Sequence, residues 1–126
     1  MRYLLSAATL IGLSACTSAS AVSIDPKNDV HCSVLSFYFH GLAKHNQAPS
    51  KQVFATKRLQ DWYAIKMRSA EGGRYSDSTV MQSEIEPILK TIKDDPLSMR
   101  DEVKACADRA VVEPSFNSFA SSYLRP

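Results

Sequence analysis

The residues best equipped for chemistry are three cysteines, three histidines and three acidic doublets. Cys32 and Cys106 lie 74 residues apart, which excludes a Cys-x-x-Cys redox motif. With no further cysteine nearby, neither belongs to a zinc site of recognisable spacing. His31, His40 and His45 share one helical stretch, with His40 nearly opposite the other two on a helical projection. His31 and His45 are separated by roughly 21 Å along such a helix, beyond the reach of a shared metal. The pattern predicts a surface His40 on a polar stripe and two helix-end histidines. Glu84/Glu86, Asp94/Asp95 and Asp101/Glu102 could do acid–base work only where burial splits their pKa values. Neighbours on a helix diverge by about 100°, and two simpler jobs are at hand: a Glu86–Lys90 pair and a cap at Asp101. Gly-x-Ser-x-Gly, His-Glu-x-x-His and Walker-type loops are all absent from the sequence. The residues name no catalytic site, no metal site and no cofactor.

The third cysteine points to export. Met1-Arg2 is a short basic region, and Tyr3 to Leu13 is an apolar run about half the length of the ~20 residues a spanning helix needs. Leu13-Ser14-Ala15-Cys16 resembles the bacterial lipobox, in which the cysteine is diacylated and becomes the new N-terminus. Ala19-Ser20-Ala21 offers a competing small-x-small cleavage site before Val22. The expected organisation is a signal peptide over 1–21, or over 1–15 with a lipidated Cys16, then a tether over 22–28 and one helical domain over 29–126. Two acyl chains suffice for stable anchoring, and in that resemblance Thr17 after the cysteine favours the outer membrane. An outer-membrane lipoprotein is therefore expected, with a soluble periplasmic protein as the alternative, and no transmembrane segment in the mature chain. Either route leaves Cys32 and Cys106 as an even pair in an oxidising compartment, where a structural disulfide is expected.

The elements that would position these residues read as helices. Over Asp29 to His45, the residues Asp29, Ser33, Ser36, His40 and Lys44 form one narrow polar stripe on an otherwise apolar surface. A helix wet on so narrow a strip belongs at the centre of a bundle, with Cys32 on the edge of its buried arc. Asn46 to Pro49 makes a break, and Ser50 is placed to cap a second helix over about 51–70 that buries Ala55, Leu59, Trp62, Tyr63 and Met67. Gly72-Gly73 ends it. A third helix, capped by Ser76 or Asp77, carries Met81, Ile85, Ile88, Leu89 and Ile92 in helical rhythm; Pro87 predicts a kink or a fresh start. Ser98 and Asp101 form a capping-box pattern ahead of a fourth helix that buries Met99, Val103, Cys106, Ala107 and Ala110. Glu113-Pro114 opens a last short turn with Phe116, Phe119, Ala120 and Tyr123 on one side. The fold class is all-α, a small bundle of four to five helices with a disulfide joining the first and the fourth.

Composition narrows the function. A formal charge of +2, from 15 basic and 13 acidic residues, is too balanced for a dedicated nucleic-acid binder. Four glycines argue against a turn-rich β-fold and against a phosphate-cradling loop. Charge is segregated along the chain: 44–74 holds seven basic residues against two acidic, and 77–113 holds nine acidic against five basic. Two arrangements account for this. The second helix packs beside the third and fourth with matched charges, or Lys51, Lys57, Arg58, Arg68 and Arg74 contact an anionic surface. The aromatic side chains, Phe37, Tyr38, Phe39, Phe54, Trp62, Tyr63, Phe116 and Phe119, are expected to fill the core or to line an apolar pocket.

The function these features suggest is a non-enzymatic exported envelope protein, a helical interaction module for an envelope partner or the membrane surface. A small-ligand or lipid-binding domain is a second possibility. The layout also resembles the acid-activated periplasmic chaperones, small helical proteins with one cysteine pair joining an early helix to a late one. That resemblance implies a holdase loosened by protonation of the acidic third and fourth helices. The export features yield one expected outcome. Intact mass of the envelope-purified protein should begin at a diacylated Cys16, or else at Val22, and rise by about 2 Da on reduction; a mass that includes Met1 rules out processing.

Overall fold

The computed structural model describes residues 22–122; the export segment with Cys16, and Tyr123, lie outside them. Five α-helices follow in order: α1 (Asp29–His45), α2 (Ser50–Ser69), α3 (Ser78–Asp94), α4 (Arg100–Val111) and α5 (Pro114–Ser121). There is no strand among the described residues.

Local chemistry sets the ends. The Asn28 side chain accepts from the Val30 and His31 amides and starts α1. At the other end Gln47 takes a left-handed φ of 52°. The Gln47 amide then bonds the Lys44 carbonyl and the Ala48 amide bonds the Ala43 carbonyl, the pairing of a Schellman turn without its usual glycine. Pro49, not the hydroxyl of Ser50, opens α2: Ser50 is already helical, and the Pro49 carbonyl accepts from Gln52 and Val53. Three successive left-handed residues, Glu71, Gly72 and Gly73, turn the chain within the 3-10 segment Ala70–Ser76. Asp77 caps α3 through Thr79 and Val80. Helix α3 then runs uninterrupted through Pro87, so no fresh start occurs there. The expected Ser98–Asp101 box does not form either. Asp95 accepts from the Ser98 amide across the 3-10 turn Pro96–Met99, and α4 begins after Met99 with no side-chain cap.

Helix α1 is the central strut and packs against α2, α3 and α4. The Cys32–Cys106 disulfide joins α1 to α4 with Cα atoms 5.6 Å apart and both residues fully buried. Around it Leu35, Tyr63 and Ile92 are fully buried, with Ala110 and Phe116 beyond them. The Tyr63 hydroxyl on α2 donates to the Cys106 carbonyl on α4, so three helices meet at the bridge. Burial pushes the Tyr63 phenol up, which keeps it protonated as that donor. Arg109 closes the outer side: its Nη2 donates to Asp29 Oδ1 at 2.8 Å and lies 3.4 Å from Cys32 Sγ, with the guanidinium over the Tyr63 ring. At the far end, Trp62 packs edge-on to Phe116 at 5.4 Å and docks α5 on α2.

The side of α1 left open is the main departure from the sequence pattern. The middle of the expected wet stripe is covered: Ser33, Ser36 and His40 are buried, while Lys44 at its end is exposed as expected. The neighbours of Ser36 and His40 one position on, Phe37 and Gly41, are exposed instead. Ser36 and His40 find partners inside the protein, so their burial is tolerable. Ser36 Oγ donates to the Cys32 carbonyl, and His40 Nδ1 lies 2.9 Å from Thr56 Oγ1 on α2. Phe37, expected in the core, is 57% exposed. Ala55 is likewise exposed on α2. Residues 22–28 are no free tether: Val22 and Ile24 pack on the core, and the Val22 amide reaches Thr91 Oγ1 on α3.

The bridge closes a loop of 74 residues, worth about 4 kcal/mol in the chain-entropy account. Urea unfolding of the Cys32→Ala/Cys106→Ala variant should lose stability of that order relative to the oxidised protein. An unchanged midpoint contradicts a structural role for the bridge.

Candidate functional site

Helices α2 and α3 each lean on α1 and leave a trough above it. From α1 come Ser33, Val34 and Phe37, from α2 Gln60, Ala64 and Met67, and from α3 Met81, Ile85 and Leu89. The space is about 290 Å³ and its walls are almost wholly apolar. Two methionines among these residues give the walls side chains that adapt to an occupant. Phe37 and Gln60 also border a second depression of about 450 Å³, lined by Tyr38, His40, Gly41, Leu42, Lys44 and Lys57. The two spaces thus adjoin along the exposed side of α1, sharing Phe37 and Gln60, and the lysines Lys44 and Lys57 border only the second. Few polar groups beside a large apolar wall is the usual make-up of a ligand site.

The basic residues singled out in the sequence do not form one face. Lys51 and Arg58 are seven residues apart and share a side of α2; Lys57 and Arg68 lie about 100° away on the helical projection. Arg74 is beyond the end of that helix. Several are engaged inside the protein: Lys57 with Asp61 at 2.7 Å, Arg74 with Glu71 and Glu84, and Arg58 over the Phe54 ring. The matched-charge arrangement operates at two places, Arg74 with Glu84 on α3 and Lys66 with Glu113 ahead of α5. Arg74 and the Tyr75 hydroxyl together hold the Glu84 carboxyl below its usual range. Lys44 has no ion-pair partner among the described residues.

The remaining candidates are dispersed. Glu86 accepts from Gln82, Lys90 pairs with Asp94 in place of Glu86, and Asp95 caps the 3-10 turn in place of Asp101. No three His, Cys, Asp or Glu side chains gather to hold a metal ion among the described residues. His40 is buried instead of sitting on the surface, and desolvation with Lys44 and Lys57 nearby lowers its pKa. The trough itself left little trace in the sequence. Its walls carry periodic apolar positions of α3 and Met67 of α2, and only their failure to close over Phe37 makes it a site.

His31, outside the trough, gives the start of α1 a pH dependence. Its Nδ1 accepts from the Asp25 amide at 2.8 Å and holds the incoming segment against α1. Burial lowers its pKa, and the Asp25 carboxylate offsets part of that effect. A lowered folded pKa means the neutral ring contributes stability above pH of about 6.5, and this is lost as pH falls through the folded value. The ¹⁵N–¹H signal of Asp25 should therefore shift on acidification from pH 7.5 to 5 as the bond is lost; an Asp25 signal insensitive over that range contradicts the contact. No protein-family model, no curated protein and no solved structure matches this chain.

Proposed function

We propose that this chain is a non-enzymatic exported envelope protein whose helical domain is an interaction module, receiving an apolar guest in the trough over α1. The observation that carries this reading is Phe37: a large aromatic side chain 57% exposed on the central helix, lining two adjoining depressions. An aromatic ring left in water at the centre of an apolar trough is the pattern of a surface completed by something else. The export features support the compartment. The lipobox-like Leu13-Ser14-Ala15-Cys16 favours an outer-membrane lipoprotein over a soluble periplasmic one, and a buried disulfide suits an oxidising space. No helix of the described residues is long and apolar enough to cross a membrane.

Site-specific photocrosslinking in cells tests the reading. A benzophenone side chain at position 37 should capture an envelope component on irradiation. The same group at position 90, on an exposed lysine outside the trough, should not. Equal capture at both positions, or none at position 37, overturns the assignment of the trough.

A further inference from the structure

We infer that the occupant of the trough is a single-chain anionic amphiphile, of the fatty-acid class, lying along α1 with its carboxylate at Lys44 and its chain over Phe37. This rests on the trough being the binding site proposed above. Three features converge on it. The chain end of the site is almost purely apolar, so it offers little to a polar or peptide-like ligand. The opposite end carries Lys44, without an ion-pair partner among the described residues, and Lys57, which shares its charge with Asp61. The span from Ser33 to Lys44 is roughly 16 Å of helix, long enough for one medium-length acyl chain.

Gly41 adds a further observation. It sits inside α1, where glycine costs about 1 kcal/mol relative to alanine. A Cβ added there would meet nothing within 4 Å, so close packing does not require the glycine. What its missing side chain leaves is open space between Phe37 and Lys44, at the passage from the apolar to the basic end. A carboxylate at Lys44 gains a charge-assisted contact with a lysine that has no ion-pair partner among the described residues, and the chain covers the exposed ring of Phe37.

The test uses the disulfide-bonded protein purified from its host envelope, stripped of lipid, and titrated calorimetrically with dodecanoate, with dodecanol and with phosphatidylglycerol vesicles. Dodecanoate should bind with at least about tenfold higher affinity than dodecanol, the loss expected when one charge-assisted contact is removed. Lys44→Glu should erase that preference and leave dodecanol binding unchanged. Gly41→Leu should raise or preserve the melting temperature, because leucine favours the helix, while dodecanoate binding falls about tenfold or more. That separates a blocked site from a damaged fold. Equal affinity for the acid and the alcohol, or full dodecanoate binding by Gly41→Leu, overturns the proposal. So does vesicle binding without dodecanoate binding, which indicates a surface contact with headgroups. If dodecanoate fails while the photoprobe at position 37 still captures an envelope component, the ligand class falls and the interaction module stands.

Discussion

The disulfide between Cys32 and Cys106 is the constraint on which the rest of the bundle depends. Helix α4 is only 12 residues long and fully buries little beyond Cys106 and Ala110. A helix that short, with so small a buried face, is marginal by itself. The bridge fixes it to the first turn of α1, and Tyr63 and Arg109 bind the same junction from two sides through the Cys106 carbonyl and Asp29. With α4 held, α5 has a platform: Phe116 and Phe119 fold back onto Trp62, and Lys66 reaches Glu113. Two elements that would not dock alone are thereby kept in place by one covalent link and the hydrogen bonds around it.

The trough follows from the same arrangement. Because α2, α3 and α4 all use α1 as their support, α1 is covered on most sides and must bury whatever residues face those helices. Two serines and a histidine are buried at modest cost, since each is small or finds a partner nearby. Of the remaining strip, Phe37 lies between α2 and α3, which pack on α1 and not extensively on one another, while Gly41 and Lys44 border a depression that α1 forms with α2. An apolar groove with one basic end is what that geometry leaves.

Charge is used locally. The basic stretch and the acidic stretch of the sequence meet at Arg74–Glu84 and Lys66–Glu113, while most other ion pairs are helical neighbours four residues apart. Exposed pairs of this kind add little to stability each. Their value here is in tying the 3-10 turn to α3 and the start of α5 to α2. Lys44 stands outside this pairing and keeps its charge available at the mouth of the trough.

The sequence by itself determined what depends on near neighbours and on counting. Apolar periodicity defined the helices and the buried faces of α2 and α3; the even pair of cysteines in a chain with export features defined the bridge; glycine and proline marked the breaks. It also made α1 central, because so few of its residues are polar. The tertiary structure decided which strip of α1 meets solvent. Periodicity ranks residues by polarity, and it placed the wet stripe through Ser33, Ser36 and His40. Where a helix is enclosed by three others, the open side is set by where those helices diverge and by which polar groups find partners. Thr56 for His40 and the Cys32 carbonyl for Ser36 are such partners, and only one of them lies within the same helix. The caps show the same division on a smaller scale. Ser98 and Asp101 fit a capping pattern, yet Asp95 and Pro96 impose a 3-10 turn that takes the Ser98 amide first. Exposure of Phe37, and with it the trough, is a property of how the helices diverge around α1, and no single segment of sequence contains that information.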